Sequence, residues 1–282
     1  MSEAMYQSHF GLREAPFGIT PDTTFAFDAQ AHQEALNVLL VALEAGEGFI
    51  KITGDVGTGK TLLCRRLLST LGSQYVTAYI PNPLLEPRGL MAALGQEFGV
   101  RVNPADDPHH LLKTLNQTLV KVASQGKRVV VLIDEAQAMP LATLETLRLL
   151  SNLETEKSKL VQVVLFGQTE LDRNLDNPAV RQLKQRIAFH YQLDRLGRSE
   201  MRHYLRHRLR VAGYAGPLLF SRVGIWFLHR ATGGVPRLVN ILAHKALLLV
   251  YAEGNDRVGM RHVLAAARDT ASARRILIPW IV

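Results

Sequence analysis

The chain has 282 residues, of which 47% are hydrophobic and 21% are charged, a balance typical of a folded protein with a substantial core. Its single cysteine, Cys64, excludes an internal disulfide and the disulfide-rich secreted domains. The N-terminus lacks a basic region followed by an apolar stretch, and no apolar run approaches the roughly 18 residues of a spanning helix. We therefore expect neither a signal peptide nor a spanning helix, and we expect a cytoplasmic location.

The net charge of +8 is unevenly distributed along the chain. Residues 1–194 contain 18 Lys and Arg and 21 Asp and Glu, whereas residues 195–275 contain 15 Lys and Arg and 4 Asp and Glu. This change of sign predicts a domain boundary near Gly197 and a basic surface on the C-terminal part.

Strand and helix patterns alternate through the first two thirds of the chain. A first long helix is predicted from Asp28, as its N-cap, to about Ala45. Strands are predicted at 49–53, 75–80, 128–134, 160–166 and 187–193. Helices are predicted between them at 62–68, 87–98, 107–125 (capped by Asp106 or Asp107), 140–153 and in turns over 169–185. This alternation predicts a parallel sheet covered by helices on both faces.

After residue 197 the pattern is helical alone. Helices are predicted at 198–212, 219–231, 235–252 and 258–270. We therefore expect a small all-α domain to follow the α/β domain.

A phosphate-binding loop is predicted between the first strand and the helix after it. The segment is Gly54-Asp55-Val56-Gly57-Thr58-Gly59-Lys60-Thr61 and fits the pattern G-x-x-x-x-G-K-[ST], known as Walker A. Its glycines let backbone N–H groups surround phosphates at the positive end of a helix dipole. Lys60 is expected to contact the β- and γ-phosphates and Thr61 to bind Mg²⁺. The alternative is a glycine-rich turn without a ligand.

Two acidic residues, Asp134 and Glu135, follow the apolar run 129–133. Such a run is typical of a strand buried on both faces of a parallel sheet. We expect Asp134 to hold Mg²⁺ and Glu135 to polarise the attacking water. A strand that simply ends in a polar loop is the alternative, and the phosphate loop favours the first interpretation. Together the segments predict a nucleoside triphosphate with Mg²⁺ and its hydrolysis, and the resemblance described next implies that the nucleotide is ATP.

An α/β nucleotide domain followed by a helical domain resembles the plan of AAA+ ATPases. Further motifs resemble, in order, the ExeA/GspA group of secretion and pilus-assembly ATPases. Beside the phosphate loop these are Phe10-Gly11-Leu12, Pro16-Phe17, Thr20-Pro21-Asp22, Asp134-Glu135-Ala136-Gln137, Leu150-Ser151-Asn152-Leu153-Glu154, Phe166-Gly167-Gln168-Thr169-Glu170-Leu171 and Gly233-Gly234-Val235-Pro236-Arg237. The length is similar to that of short members serving the mannose-sensitive haemagglutinin (MSHA) type IV pilus. Longer members continue into a membrane helix and a peptidoglycan-binding domain, which we do not expect here.

The resemblance implies a P-loop NTPase fold, with a three-layer core around a parallel sheet and then an all-α lid domain. The expected division of the chain has four parts. They are an N-terminal arm and helix of the ATPase domain (1–46), the P-loop core (47–196), a basic helical lid (197–275) and an apolar tail (276–282).

The resemblance also implies three further site residues. Gln168, at the end of the fourth strand, is expected to contact the γ-phosphate or the attacking water, with Thr169 as the alternative. Arg186, or alternatively Arg181, is expected to enter the neighbouring subunit's site as an arginine finger, which requires a homo-oligomer when active. Arg237 follows Pro236, a residue suited to the first turn of a helix, and is expected to contact the γ-phosphate from the lid.

Five aromatic residues precede the first long helix: Tyr6, Phe10, Phe17, Phe25 and Phe27. They line an adenine pocket, or they form a core that fixes the arm to the sheet, and we favour the second interpretation. The basic helix 202–210 has three alternatives: a solvated face, a surface for an acidic partner or anionic membrane, and a DNA-binding surface. The tail 276–282 folds onto the core or serves as an anchor for a partner or the membrane interface.

The expected function is assembly of an MSHA-like type IV pilus or a related type II secretion apparatus, driven by ATP binding and hydrolysis. The expected partners are inner-membrane assembly proteins, which would place the protein at the cytoplasmic side of that membrane. The alternatives are a DNA-associated ATP switch and a nucleotide-dependent scaffold that hydrolyses little ATP.

Overall fold

The computed structural model describes residues 3–20, 22–27, 29–100, 107–151 and 159–276, and these form two compact units. The helical unit contains the described residues of 1–30, 56–59 and 194–282. The sheet unit contains those of 31–55 and 60–193. The described residues of 1–30, which belong to the expected N-terminal arm, group with the C-terminal helices.

The regular elements of the described residues follow the expected alternation. The strands are β1 (Phe49–Gly54), β2 (Tyr75–Ile80), β3 (Arg128–Ile133), β4 (Val161–Gly167) and β5 (Ile187–Leu193). The helices are α1 (Glu3–Phe10), α2 (Gln30–Glu44), α3 (Lys60–Thr70), α4 (Pro87–Glu97), α5 (Pro108–Ser124), α6 (Leu141–Leu150), α7 (Glu170–Leu175), α8 (Arg181–Gln185), α9 (Arg198–Val211), α10 (Arg222–Thr232), α11 (Pro236–Ala252) and α12 (Met260–Arg268).

The five strands form one parallel sheet in the order β2-β3-β4-β1-β5. Strand β4 lies between β1 and β3, with Val163 opposite Phe49 and Val161 opposite Val129. The loop after β1, the acid pair after β3 and Gln168 after β4 therefore follow three adjacent strands at the same edge of the sheet.

Both faces of the sheet are covered, which confirms the three-layer P-loop NTPase core. Val129 and Val131 pack with Leu111 of α5 and with α4 and α6 on one face. Val130 and Leu132 pack with α2 and α3 on the other. Successive strand residues point to opposite faces, so burial of both faces requires the continuous apolar run seen in the sequence.

Helix boundaries agree with the prediction where capping residues were identified. Asp107 accepts a hydrogen bond from the N–H of His109 at 3.0 Å, which caps α5; the expected caps Asp28 and Asp106 lie outside the described residues. The helix expected from 219 begins at Arg222, because Ser221 caps it and Phe220 pairs with Val258 as a short parallel bridge.

The core of the helical unit contains the N-terminal aromatic residues. Tyr6, Phe10, Phe17 and Phe25 are buried among residues of α9–α12, and Phe27 stacks edge-on against Tyr204 at 5.6 Å. The prediction that they fix the arm to the sheet is therefore wrong. Apolar spacing identifies buried residues but does not specify which distant surface buries them.

In the 276–282 tail only Ile276 is described, and it packs against the core of the helical unit. Within the described ranges, every helix is too short or too polar to traverse a lipid bilayer.

Candidate functional site

The predicted phosphate loop connects β1 to α3, as the motif requires. Gly57 and Gly59 have φ values of +81° and +101°, a region that residues with a side chain rarely adopt. These turns direct the loop backbone around the start of α3, where backbone N–H groups and the helix dipole favour an anion.

Lys60 is the first residue of α3, and its side chain is 5% exposed in relative terms. Its Nζ donates hydrogen bonds to the carbonyl oxygens of Gly54 at 2.8 Å and Asp55 at 2.9 Å. Burial lowers the pKa of Lys60, and the nearby Glu135 and Asp134 carboxylates oppose that effect. A buried ammonium beside a loop with this geometry is suited to an anionic phosphate.

Thr61 and Asp134, the two predicted Mg²⁺ ligands, are in direct contact. The Thr61 hydroxyl donates to Asp134 Oδ2 at 2.7 Å, although the residues are 73 positions apart. Mg²⁺ prefers oxygen ligands and usually combines one or two carboxylates with waters and substrate phosphates, so this donor set fits it.

The surroundings of Asp134 are those of a buried carboxylate. Burial raises the pKa of Asp134, whereas hydrogen bonds from the Thr61 hydroxyl and the Glu135 N–H oppose that rise. Burial, with a contribution from Asp134, also raises the pKa of Tyr79 to about 12, so its hydroxyl stays neutral. A bound cation would compensate the carboxylate in this setting.

Glu135 has φ of 52°, in the left-handed region, and no other non-glycine residue of the described chain has a positive φ. Such a conformation costs on the order of 1–3 kcal/mol and requires support from the surrounding structure. Here it ends β3 abruptly and is followed by a short 3₁₀ turn, Ala136–Ala138. The turn brings Gln137 next to the Glu135 carboxylate.

Two glutamine amides hold the Glu135 carboxylate. Gln137 Nε2 donates to Glu135 Oε2 at 2.5 Å, and Gln168 Nε2 donates to the same oxygen at 3.2 Å. Gln137 Oε1 accepts from the Gln168 N–H at 2.9 Å, and Asn174 Nδ2 donates to the Gln137 carbonyl at 2.9 Å. The structure thus brings Gln168 to Glu135, whereas Thr169 precedes α7 without a side-chain capping bond.

Gln137 and Asn174 were not among the predicted site residues. Gln137 stood in the quoted motif with the acid pair, and that position was the signal available for it. Asn174 had no signal, because its contact depends on how α7 packs beside the 3₁₀ turn.

Arg237 is the second residue of α11, in the helical unit, as expected. Its N–H donates to the carbonyl of Gly57 at 3.2 Å, and Gly57 belongs to the same unit. A Cβ built on Gly57 would lie 2.6 Å from Cβ of Arg237, too close for any side chain. The predicted lid sensor therefore starts its helix against a residue of the phosphate loop.

Arg186, the predicted finger, follows α8 and directly precedes β5, on the surface of the sheet unit. Its Nη1 donates to Ser151 Oγ at 3.2 Å, and it lines a cavity of about 600 Å³ with Lys159 and Glu47. Arg181, the alternative, is exposed at the start of α8. Arg186 thus precedes the N-terminal end of β5, whereas the phosphate loop and the acid pair follow the C-terminal ends of β1 and β3.

Comparison with known proteins agrees with this geometry. Residues 43–175 match the family described as an AAA domain. General secretion pathway protein A of Aeromonas hydrophila is 41% identical over 270 residues, which cover 96% of this chain and 49% of that protein. The chain thus spans about half the length of this relative.

Solved structures share the fold at low sequence identity. The Aeropyrum pernix ORC2 protein has a TM-score of 0.62 and 16% identity, with 89% of this chain and 72% of that chain covered. Drosophila ORC bound to DNA has a TM-score of 0.66 and 17% identity, with 94% of this chain and 66% of that chain covered. The Thermotoga maritima RuvB branch migration motor has a TM-score of 0.56 and 19% identity, with 86% of this chain and 69% of that chain covered. At these identities the likeness concerns the fold alone.

Proposed function

We propose that the protein binds ATP with Mg²⁺ and hydrolyses it, since residues 43–175 match an AAA domain and the chain is similar to general secretion pathway protein A. The observation that carries the proposal is the 2.7 Å contact between Thr61 Oγ1 and Asp134 Oδ2 at the start of α3. A chance glycine-rich turn would not require a hydroxyl and a buried carboxylate to converge at this position.

Each residue of the site has a separate proposed role in phosphoryl transfer. The loop amides and Lys60 hold the phosphates, and Thr61 and Asp134 would hold Mg²⁺, which supplies positive charge against the developing negative charge. Glu135 accepts hydrogen bonds from Gln137 and Gln168, so its carboxylate is oriented for a water molecule. Polarisation of that water by Glu135 completes the proposed reaction.

The proposed active form is a homo-oligomer. Arg186 would enter the site of a neighbouring copy, while Arg237 would contact the γ-phosphate from its own lid. An arginine finger of this kind contributes a factor of roughly 10³–10⁵ to hydrolysis. The contact of the Arg237 N–H with Gly57 supports a lid that responds to the nucleotide.

We further propose that hydrolysis serves assembly of a type II secretion apparatus or a related MSHA-like type IV pilus at the cytoplasmic side of the inner membrane. The relation to general secretion pathway protein A supports the secretion role. The pilus role is supported by the resemblance of the quoted motifs. The partners would be inner-membrane assembly proteins.

ATP turnover and binding of a fluorescent ATP analogue test the proposal in wild type, Lys60→Ala and Glu135→Gln. Lys60→Ala should weaken nucleotide binding, because it removes the ammonium group that is proposed to contact the phosphates. Glu135→Gln should bind ATP normally and hydrolyse it about 10²–10⁴-fold more slowly, because an amide cannot act as a base. Turnover that is equal in all three proteins would contradict the assigned site.

Each protein is also assayed alone, with duplex DNA and with inner-membrane vesicles, which separates the biological roles. Stimulation by vesicles supports the assembly role, and stimulation by DNA alone contradicts it in favour of a DNA-associated switch. Tight ATP binding without turnover under every condition would instead favour a scaffold. In the host bacterium, Lys60→Ala should abolish surface pili or leave secreted enzymes in the periplasm, which distinguishes the two assemblies.

A further inference from the structure

A basic groove runs along α9 in the helical unit. One wall carries Arg202, Arg206 and Arg210, which are spaced four residues apart and so lie on one face of the helix. The opposite wall is the segment after α9, with Tyr214 and residues 217–218. We call this feature the arginine groove and define it by Arg202, Arg206, Arg210, Tyr214, Pro217 and Leu218.

The three arginines of the groove make no ion pair or side-chain hydrogen bond with another described residue. Arg208 of the same helix differs, because its guanidinium is buried and donates to the carbonyls of Pro16 and Gly18. The fold therefore uses one arginine of α9 internally and leaves three charges directed at the groove. Arg222 and Arg257 add two further positive charges at one end, and neither is ion-paired with a residue that the structure describes.

The groove has the volume of a ligand site and an apolar wall. A cavity of about 550 Å³ lies at the Arg202 end, and an adjoining cavity of about 320 Å³ lies at the Arg210 end. Both are lined by Arg206, Tyr214 and residues 217–218, so they form one continuous depression. Pro217 is exposed and Leu218 is partly buried, which leaves apolar surface opposite the arginines.

Backbone hydrogen bonds hold the segment around Leu219, one of the residues that line the cavity at the Arg202 end. The N–H of Val258 donates to the carbonyl of Leu219 at 2.8 Å, and the N–H of Ser221 donates to the carbonyl of Val258 at 2.9 Å. Ser221 also caps α10. A segment that is already ordered reduces the ordering cost of binding.

We propose that the arginine groove binds an extended acidic peptide in which acidic and apolar residues alternate. An extended chain projects successive side chains to opposite sides, so acidic residues would face the arginines while apolar residues face Tyr214 and Leu218. The proposal names the kind of partner for the assembly role proposed above, and binding itself does not require hydrolysis.

The spacing of the charges supports an extended peptide. Arginines four residues apart on a helix are separated by about 6 Å along its axis. Alternate residues of an extended strand are separated by about 6.6 Å. Three acidic side chains at alternate positions can therefore each reach one arginine, over about five residues of peptide.

Two other polyanions fit the groove less well. A bilayer surface is broad and flat, whereas the apolar wall and the arginines face each other across a depression. A nucleic acid strand carries phosphates on its backbone but no apolar side chains for the wall at Pro217 and Leu218. A peptide with alternating acidic and apolar residues can pair with the arginines and also pack against Pro217 and Leu218.

The test uses a fluorescent peptide with the core Glu-Leu-Glu-Leu-Glu between Gly-Ser flanks and measures fluorescence anisotropy without nucleotide. A second peptide has the core Glu-Glu-Glu-Leu-Leu, with the same composition and charge. The alternating peptide should bind at least about fivefold more tightly, because only its sequence supplies both walls. Equal affinity for the two peptides would overturn the proposal.

Variants of the full chain locate the site. Arg202→Glu with Arg206→Glu should weaken binding by at least about tenfold, since two attractions become repulsions. The control, Arg88→Glu with Arg268→Glu, changes the net charge equally at exposed positions that do not line the groove, and its affinity should change by less than about twofold. If both double variants lost affinity for the peptide equally, the interaction would be general charge attraction, and the proposal that the arginine groove is the binding site would be overturned.

Asp256→Asn should increase the affinity for the peptide, a result that a misfolded variant would not give. Asp256 lines the groove end near Arg257 with a 98% exposed side chain, and its removal should tighten peptide binding by up to about fivefold. Weaker binding by this variant would contradict the proposal. Single-stranded DNA or phosphatidylglycerol vesicles that compete more strongly than the peptide would assign the groove to another ligand. Because no nucleotide is present, these results stand apart from the test of hydrolysis.

Discussion

Gln137 donates a 2.5 Å hydrogen bond to the carboxylate of Glu135, two residues before it in the chain. The contact is possible because Glu135 adopts a left-handed conformation, so the chain folds back on itself after β3. The other end of the Gln137 amide accepts the N–H of Gln168 at the end of β4. One side chain therefore ties the predicted base to the neighbouring strand, and Gln137 acts as a positioning residue.

Replacing Gln137 by Leu should lower kcat for ATP hydrolysis about tenfold or more, because Glu135 loses one of its two amide donors. The affinity for ATP should change by less than about threefold, since the partners of Gln137 are Glu135, Gln168 and Asn174. Steady-state kinetics and direct nucleotide binding separate the two effects.

Gln137→Glu distinguishes positioning from a merely structural role. A second carboxylate next to Glu135 introduces repulsion between two negative charges when both are ionised, so the acid limb of the pH–rate profile should move to higher pH. An unchanged kcat in Gln137→Leu, or an unchanged profile in Gln137→Glu, would contradict the assignment.

Arg186 should complete the site of a neighbouring subunit, and mixing two inactive variants measures this directly. Arg186→Ala retains Glu135, and Glu135→Gln retains Arg186, so a mixed oligomer contains some complete sites. Turnover of the mixture should exceed that of either variant alone by about tenfold or more, given the usual contribution of a finger.

The hydrogen bond from Arg186 to Ser151 supplies a control for that experiment. Ser151→Ala should retain most of the wild-type turnover if the arginine acts in trans. If Ser151→Ala and Arg186→Ala lose activity equally and mixing restores nothing, the arginine is structural. Recovery when Arg181→Ala replaces Arg186→Ala in the mixture would identify the alternative finger.

Asp134→Asn should stabilise the protein in the absence of Mg²⁺. Burial raises the folded-state pKa of Asp134 above its unfolded value of 3.8, so the unfolded state releases this proton first as pH rises. The folded wild type therefore loses stability, relative to the variant, as pH rises from 3.8 to the folded pKa, and the difference persists above it. A gain of about 1 kcal/mol corresponds to about 2–4 °C in the melting temperature.

Thermal unfolding from pH 4 to pH 8 measures this difference. Addition of Mg²⁺ with ATP should raise the melting temperature of wild type more than that of Asp134→Asn, because only the carboxylate compensates the cation. A variant less stable than wild type at pH 8 without Mg²⁺ would contradict the electrostatic argument.

Arg208→Ala should destabilise the helical unit by about 2–4 kcal/mol, because two carbonyls of the N-terminal arm lose a charged donor. The guanidinium also lies 4.7 Å from the Phe25 ring, which adds a cation–π contact. Arg202→Ala, on the exposed side of the same helix, should change the free energy of unfolding by less than about 0.5 kcal/mol. Denaturant unfolding and proteolysis of residues 1–30 compare the two, and equal effects would contradict the internal role of Arg208.

Much of the fold followed from local patterns. The strands, the helices after residue 197 and the cap at Asp107 were predicted because apolar periodicity and capping act over a few residues. The same holds for the phosphate loop, since its glycines, Lys60 and Thr61 are contiguous in the chain. The left-handed conformation of Glu135 and the contact of Asn174 with Gln137 had no such local signal.

By itself the sequence determined a P-loop NTPase with an acid pair and a helical lid, because those features are encoded by contiguous motifs and short periods. Only the tertiary structure decided which distant groups meet. It assigned the N-terminal aromatic residues to the lid helices rather than to the sheet, and it separated buried Arg208 from the exposed arginines of the same helix. It also placed Gln137 between Glu135 and Gln168. These outcomes depend on distant contacts, such as the one between Arg208 and Pro16 across 192 positions of chain, and on one left-handed residue. A sequence pattern that extends over a single turn or strand predicts neither.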